Sequence, residues 1–195
     1  MRWIWIDSFV EFESGKRAVA VKNVTLAEDY LHDHFPGFPV MPATLLIEGM
    51  AQTAGILVGE ARGFTENVIL AKIRRAEFSG WAGPGDQIRY EAAIESIDER
   101  AAMTSGMITK SPSQNPLTQP SPPLGEMGFG VGPKNWLPLG RVDLIFSHVD
   151  QAEKTLDLPD HNFVFTEQFM NLLAGFRNTG QNPGRQHWNG GKTED

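Results

Sequence analysis

Residues 34–55 read HFPGFPVMPATLLIEGMAQTAG, and this stretch decides how the rest of the chain is to be understood. It opens with His34 in a loop punctuated by Pro36, Gly37, Pro39 and Pro42, then runs into an apolar segment whose one ionisable side chain is Glu48. Glutamate is almost never fully buried without a partner, because removing its charge from water is expensive. A histidine and a carboxylate in such a setting are the usual base and acid of proton-transfer chemistry near neutral pH. From Pro42 the pattern is helical, since proline suits a first helical turn and nothing breaks the segment until about Gly59 or Gly63. Its apolar residues, Leu45 through Val58, cover nearly the whole circumference, which predicts a helix buried on most sides. Gly49 and Gly55 each forgo about 1 kcal/mol of helix propensity relative to alanine, and predict the close approach of another backbone.

A helix of that kind must be wrapped, and the flanking segments supply strands. Residues 9–24 predict a hairpin turning at Glu13, Ser14, Gly15 and Lys16, with Val19 and Val21 on one face and charged Lys22 on the other. Residues 26–31 predict one short helical turn leading to His34. Residues 68–78 read as a strand. Residues 86–96 alternate cleanly, Ile88, Tyr90, Ala92 and Ile94 against Gln87, Arg89, Glu91 and Glu95, after a turn at Gly83, Pro84, Gly85 and Asp86. Residues 101–110 and 141–148 add two more strands, the last alternating through Val142, Leu144 and Phe146. One buried helix against a five- or six-stranded antiparallel sheet is an α+β layout.

The 195 residues are enough for one domain with a tail. The expected organisation is a domain over residues 1–150, an extension with a helix over 151–177, and a disordered tail over 178–195. Within the domain, residues 111–140 carry 7 of the 13 prolines and no sustained period, and predict an irregular insertion between the last two strands. Composition favours disorder there, and a functional loop is the alternative. In the extension, Thr166 can cap a helix reaching about Phe176, with Phe165 and Met170 at the spacing of a hydrophobic staple. Phe169, Met170, Leu172 and Leu173 read as its packing face rather than an acyl-binding surface.

The net charge of -7 argues against nucleic acid or an anionic membrane as a broad electrostatic partner. No cysteine is present, which excludes disulfides, thiolate metal sites and cysteine nucleophiles together. No apolar run approaches the roughly 18 residues of a membrane span, so the expected location is the cytoplasm.

The stretch from His34 to Gln52 resembles the active-site motif of the hot-dog-fold β-hydroxyacyl-acyl-carrier-protein dehydratases of the FabZ type, which reads H-F-P-G-x-P-V-M-P-G-x-L-x-x-E-x-x-A-Q. The strand containing Gly15, Lys16 and Arg17, the GPGDQI turn and the closing strand RVDLIFSHVD fit as well. The resemblance implies a hot-dog fold, a long central helix wrapped by an antiparallel sheet, with two subunits paired edge to edge and the site at their interface. It implies dehydration of a (3R)-3-hydroxyacyl thioester to a trans-2-enoyl thioester in fatty-acid or related lipid synthesis. His34 would be the base and Glu48, from the opposite subunit, the acid. Backbone N–H groups of Ala43 and Thr44 would polarise the thioester carbonyl, with Gln52 and Gly37 in support. Lys72, Arg74 and Arg75 would meet acyl carrier protein. The resemblance implies no metal or cofactor, and a homodimer or a higher assembly such as a trimer of dimers. Glutamate rather than aspartate at position 48 points to the simple dehydratase over the isomerising FabA type.

Three residues depart from the family pattern. Ala43 replaces a common glycine where the substrate carbonyl approaches, Asp33 puts a carboxylate beside His34 where glycine is common, and Glu77 stands at a place often basic. They keep two alternatives open: a hot-dog acyl thioesterase, and a catalytically weak acyl-binding or scaffolding subunit. His32, His148, His161 and His187 have no comparable context and read as structural or exposed.

Overall fold

Strands that alternate small and large apolar residues make a face that can take a helix, and the chain folds by that rule. The computed structural model describes residues 4–111, 136–149 and 164–174. The elements are β1 (Ser8–Glu13), β2 (Arg17–Asn23), α1 (Tyr30–Asp33), α2 (Ala43–Ala61), β3 (Asn67–Phe78), β4 (Gln87–Ile97), β5 (Ala101–Lys110), β6 (Leu137–Val149) and α3 (Glu167–Leu172). The six strands form one antiparallel sheet in the order β1-β2-β4-β5-β6-β3. α2 lies across its inner face, where Met50, Leu57, Tyr90, Ile88, Ile108, Leu144 and Phe146 build the core. This is the hot-dog layout, an α+β fold.

Every residue of α2 from Gly49 to Gly59 is buried, while Ala43 and Thr44 at its start are exposed. The sheet covers one side. Trp5, Ile6 and Leu31 join the same core, and α3 contributes Phe169 and Leu173. Phe165, just before α3, sits so close to Gly59 that a Cβ there would fall 2.7 Å from its Cε2, and its ring meets Phe64 edge-on at 4.9 Å. Gly49 and Gly55 do not receive another backbone. The Tyr90 ring fills the space at Gly49, and at Gly55 the nearest atoms belong to Phe146, at an ordinary 3.5 Å.

The β1–β2 hairpin turns where expected, with Gly15 at φ 70° and a hydrogen bond from Lys16 N to Glu13 O at 3.0 Å. Val19 and Val21 share one face and Lys22 lies on the other, as expected, and it is the face with the lysine that points inward. Ala18 and Ala20 enter the core, and Lys22 follows them into a buried position where its Nζ donates to Glu28 at 2.6 Å and lies 3.4 Å from Asp7. A buried ammonium needs such carboxylates around it. Val19 and Val21 are buried on the other face, opposite Glu91 and Arg89 in the register. There Arg17 bridges Glu11 at 2.5 Å and Glu91 at 2.8 Å, and Arg89 reaches Glu11 at 2.6 Å. Long charged side chains cover apolar surface with their stems, so these valines are dry without facing the helix.

Two boundaries also moved. The turn expected at 26–31 resolves into isolated turns, Glu28 N to Thr25 O and Leu31 N to Glu28 O, with helix α1 only at Tyr30–Asp33. β6 begins at Leu137 rather than 141, so the last residues of the expected insertion are strand. Pro138 is tolerated because it lies past the end of β3, whose pairing stops at Phe78 opposite Gly140, and at a register irregularity against β5. Residues 112–135, most of the expected insertion, and the expected tail 178–195 lie outside the described residues.

β3 is the sheet's outer edge beyond β6, and ten of its positions, Ile69 to Phe78, are exposed or half-buried. Its Leu70 and Ile73 face solvent. Among the described residues no helix is long and apolar enough to cross a membrane.

Candidate active site

The loop between α1 and α2 is shaped by its own hydrogen bonds. His34 caps α1 through its N–H to Tyr30 O at 3.2 Å. Phe35 and Phe38 exchange main-chain bonds at 3.0 and 2.9 Å, and Gly37 between them has φ 77°, a conformation that disfavours any residue with a Cβ. The His34–Phe35 peptide is cis. Met41 N donates to Ala82 O at 2.8 Å, tying the loop to the segment before the Gly83–Asp86 turn.

The His34 ring is fixed within this loop. Its Nδ1 lies 2.8 Å from Val40 O, and Val40 N donates back to His34 O at 2.9 Å. A carbonyl only accepts, so Nδ1 carries the proton and Nε2 of the neutral ring holds a free lone pair. Nε2 has no hydrogen-bond partner among the described residues. Phe35 stacks on the imidazole at 4.1 Å between centroids. Phe35, Phe38 and Trp81 are about half exposed, and Phe38 meets Trp81 edge-on at 5.5 Å. Phe35 therefore gives the imidazole an apolar neighbour, and Phe38 and Trp81 form an exposed aromatic pair on the same loop and the segment tied to it.

α2 begins at Ala43 with Pro42 as N-cap. Leu45 and Leu46 N–H groups both reach Pro42 O, at 3.0 and 3.3 Å. The N–H groups of Ala43 and Thr44 have no acceptor among the described residues, and both residues are exposed. Two aligned donors at a helix start favour an oxygen that gains negative charge.

One turn further, half-buried Glu48 accepts a 2.8 Å hydrogen bond at Oε1 from Gln52 Nε2. The Gln52 carbonyl oxygen accepts in turn from Trp5 N at 2.8 Å, a buried contact across 47 residues of sequence. Glu48 Oε2 has no partner among the described residues. No hydrogen bond joins His34 to Glu48 within the described chain. Each of the two groups is oriented by its own neighbours and offers one open atom.

The remaining sequence candidates lie on β3. Lys72, Arg74 and Arg75 are all exposed; Arg74 reaches Glu95 at 3.3 Å and Arg75 reaches Glu77 at 2.6 Å. The Arg75 hydrogen bond holds the Glu77 carboxyl below its usual range, so the departure at position 77 neutralises part of this basic strip. Of the other histidines, His32 is exposed and His148 is buried 3.2 Å from Glu66. Burial, opposed by Glu66, pushes the His148 imidazole down from its ordinary range. His161 and His187 lie outside the described residues. Among the described residues no group of three or more His, Asp or Glu side chains could hold a metal ion. Sequence reasoning missed the Val40 carbonyl and the Trp5 N–H, because a main-chain group has no signature in residue type. Phe35, Phe38 and Trp81 were detectable as aromatics beside glycines and prolines.

The FabA-like domain family matches residues 3–111, a span that holds both His34 and Glu48. Two curated relatives are named 3-hydroxyacyl-acyl-carrier-protein dehydratase FabZ. That of Bacillus pumilus is 32% identical over 133 residues, covering 68% of this chain and 88% of the relative. That of Caldanaerobacter subterraneus is 41% identical over 96 residues, covering 49% of this chain and 68% of the relative. Among solved structures, AziG of S. sahachiroi aligns with a TM-score of 0.52 at 10% identity, over 73% of this chain and 90% of that one. A hypothetical thioesterase protein with coenzyme A from Streptococcus pneumoniae aligns with a TM-score of 0.50 at 8% identity, over 73% and 85%. At such identities the structural likenesses speak for the fold alone. The chain belongs to the FabA-like family of hot-dog proteins, and within it to the FabZ type.

Proposed function

We propose that this chain is a 3-hydroxyacyl-acyl-carrier-protein dehydratase, a lyase that removes water from a (3R)-3-hydroxyacyl thioester in fatty-acid or related lipid synthesis. His34 Nε2 takes the C2 proton while the C3–O bond breaks and the C2–C3 double bond forms. Glu48 gives its proton to the departing hydroxyl, which leaves as water. The N–H groups of Ala43 and Thr44 donate to the thioester carbonyl oxygen, which gains charge as C2 loses its proton. Gln52 orients Glu48, and the turn at Gly37 lets the loop present His34. The observation that carries this reading is the pair of open atoms: a histidine pinned through Nδ1 and a carboxylate pinned through Oε1, each ready for proton transfer at its other atom.

The two groups have no bond to one another in one chain, which fits a site divided between two subunits. A homodimer formed along the free edge of β3 would cover Leu70 and Ile73 and bring one subunit's His34 to its partner's Glu48. Lys72, Arg74 and Arg75 on that strand form a basic strip suited to an acidic acyl carrier protein.

The test is hydration of crotonyl-CoA, followed by loss of enoyl absorbance, and then turnover of a carrier-linked 3-hydroxyacyl substrate. Turnover without release of free thiol is expected; thiol release would mark a thioesterase, and no turnover on either substrate would refute the dehydratase. Subunit mixing tests the divided site. His34→Ala and Glu48→Gln should each lower kcat by roughly a hundredfold or more. If the pair is shared across subunits, co-refolding the two inactive variants should restore about a quarter of the activity, because half of the dimers then carry one complete site. No recovery would place both groups in the same subunit's site.

A further inference from the structure

Catalysis by Glu48 requires that a defined oxygen carry the proton, and the hydrogen bonds around it determine which one. A main-chain N–H can only donate, so the Gln52 atom 2.8 Å from Trp5 N must be the carbonyl oxygen. That settles which way round the amide stands. Its NH2 group then faces Glu48 and donates to Oε1 at 2.8 Å. An oxygen that accepts a hydrogen bond from a fixed amide is a poor place for a carboxyl proton, which leaves Oε2, the atom without a partner among the described residues, to hold it. With the amide reversed, two donors would oppose each other at Trp5, and Glu48 could meet the amide oxygen only by carrying its proton on Oε1.

The donor at the far end of this chain is itself anchored. Trp5 is 8% exposed and Ile6 1%, the Trp5 ring meets Tyr30 edge-on at 5.5 Å, and Asp7 N donates to Val21 O at 2.7 Å. The segment entering β1 is therefore fixed against β2 and α1, and its N–H is a stationary reference for the amide. We propose that the main-chain N–H of Trp5 is a positioning group for the dehydration: by fixing the orientation of Gln52 it selects Oε2 of Glu48 as the proton-carrying oxygen. The proposal rests on Glu48 being the acid. It gives residues 4–7, which carry no reactive side chain at the site, a part in the chemistry through one backbone atom.

The experiment replaces the Trp5 amide by an ester in the full-length chain, using indole-3-lactic acid inserted by nonsense suppression. This removes the N–H and keeps the indole. The crotonyl-CoA assay reads kcat and KM separately, and a thermal melt reads folding. We expect kcat to fall roughly tenfold with KM within about twofold, as for loss of one hydrogen bond. Gln52→Ala should fall to a similar level, and the ester combined with Gln52→Ala should be no slower than Gln52→Ala alone, because both act along one path. Gln52→Glu keeps an oxygen toward Trp5 but replaces the donor, and should also lose kcat while folding normally; it decides the matter if the ester chain does not fold. Full kcat in the ester chain, a loss that adds in full to that of Gln52→Ala, or wild-type kcat in Gln52→Glu overturns the proposal. Absence of turnover in the unmodified protein overturns the dehydratase reading beneath it, which separates the two failures.

Discussion

Two glycines on α2 invite the same substitution and should respond with opposite sign. At Gly49, a Cβ would lie 2.6 Å from the Tyr90 hydroxyl and 2.9 Å from Cε2, with Cζ closer still. Tyr90 is wholly buried, so its ring has nowhere open to retreat. Restoring ordinary carbon contacts of about 3.5–4 Å requires the ring or the helix to shift by roughly 1 Å. Overpacking of this kind costs about 1–3 kcal/mol, against a gain of about 1 kcal/mol from replacing glycine by alanine in a helix. Gly49→Ala should therefore be destabilised by up to about 2 kcal/mol. At Gly55 the nearest atoms are those of Phe146 at 3.5 and 3.9 Å, ordinary contact, so only the propensity gain remains. Gly55→Ala should be neutral or up to about 1 kcal/mol more stable. Urea denaturation of the three proteins side by side, compared at constant slope, measures both. Equal stability of Gly49→Ala and wild type, or equal damage at both positions, would refute the steric reasoning. Gly49 adjoins Glu48, so the same Gly49→Ala protein should also lose activity as α2 shifts.

Two other measurements follow from the electrostatics. His148 has its pKa depressed by burial, so the native state favours neutral imidazole. That contribution is complete above the unfolded value of about 6.5 and is lost as pH falls through the lower folded value. The melting temperature should therefore decline on acidification below that pH, and His148→Gln should flatten the decline; an unchanged slope would count against it. On β3, Lys72→Glu with Arg74→Glu should raise KM for a carrier-linked substrate by about tenfold at low salt, with little change for crotonyl-CoA, and the difference should shrink as salt screens the strip. Equal effects on both substrates would remove the carrier from the account of this surface.

The sequence made α2 legible because its apolar run has one ionisable break and no helix breaker, and β4 legible because its alternation is strict. On β2 the alternation was legible but the choice of inner face was not, because alanine is too small to mark Ala18 and Ala20 as core-facing against valine. Nor does anything local announce that Lys22 is buried beside Asp7 and Glu28. Pro138 and Gly140 looked like the end of a loop, yet both are in β6, where position 140 needs glycine because a Cβ there would meet Glu77 O at 2.6 Å. At the site, the types His34, Glu48 and Gln52 were readable from the motif, while their orientation was not. Val40 O and Trp5 N are backbone atoms, and Trp5 is 47 residues from the amide it holds.

The double link between His34 and Val40 has a consequence for how such a site can decay. One bond runs from the ring and the other from the main chain, so the imidazole serves as the fastening of its own loop as well as a proton acceptor. A lineage that discarded the chemistry could not drop this side chain without also loosening the bend at residues 35–39. Retained loop shape with a different residue at 34 would therefore require a compensating clasp elsewhere, and a substitution to alanine measures two losses at once, one chemical and one architectural.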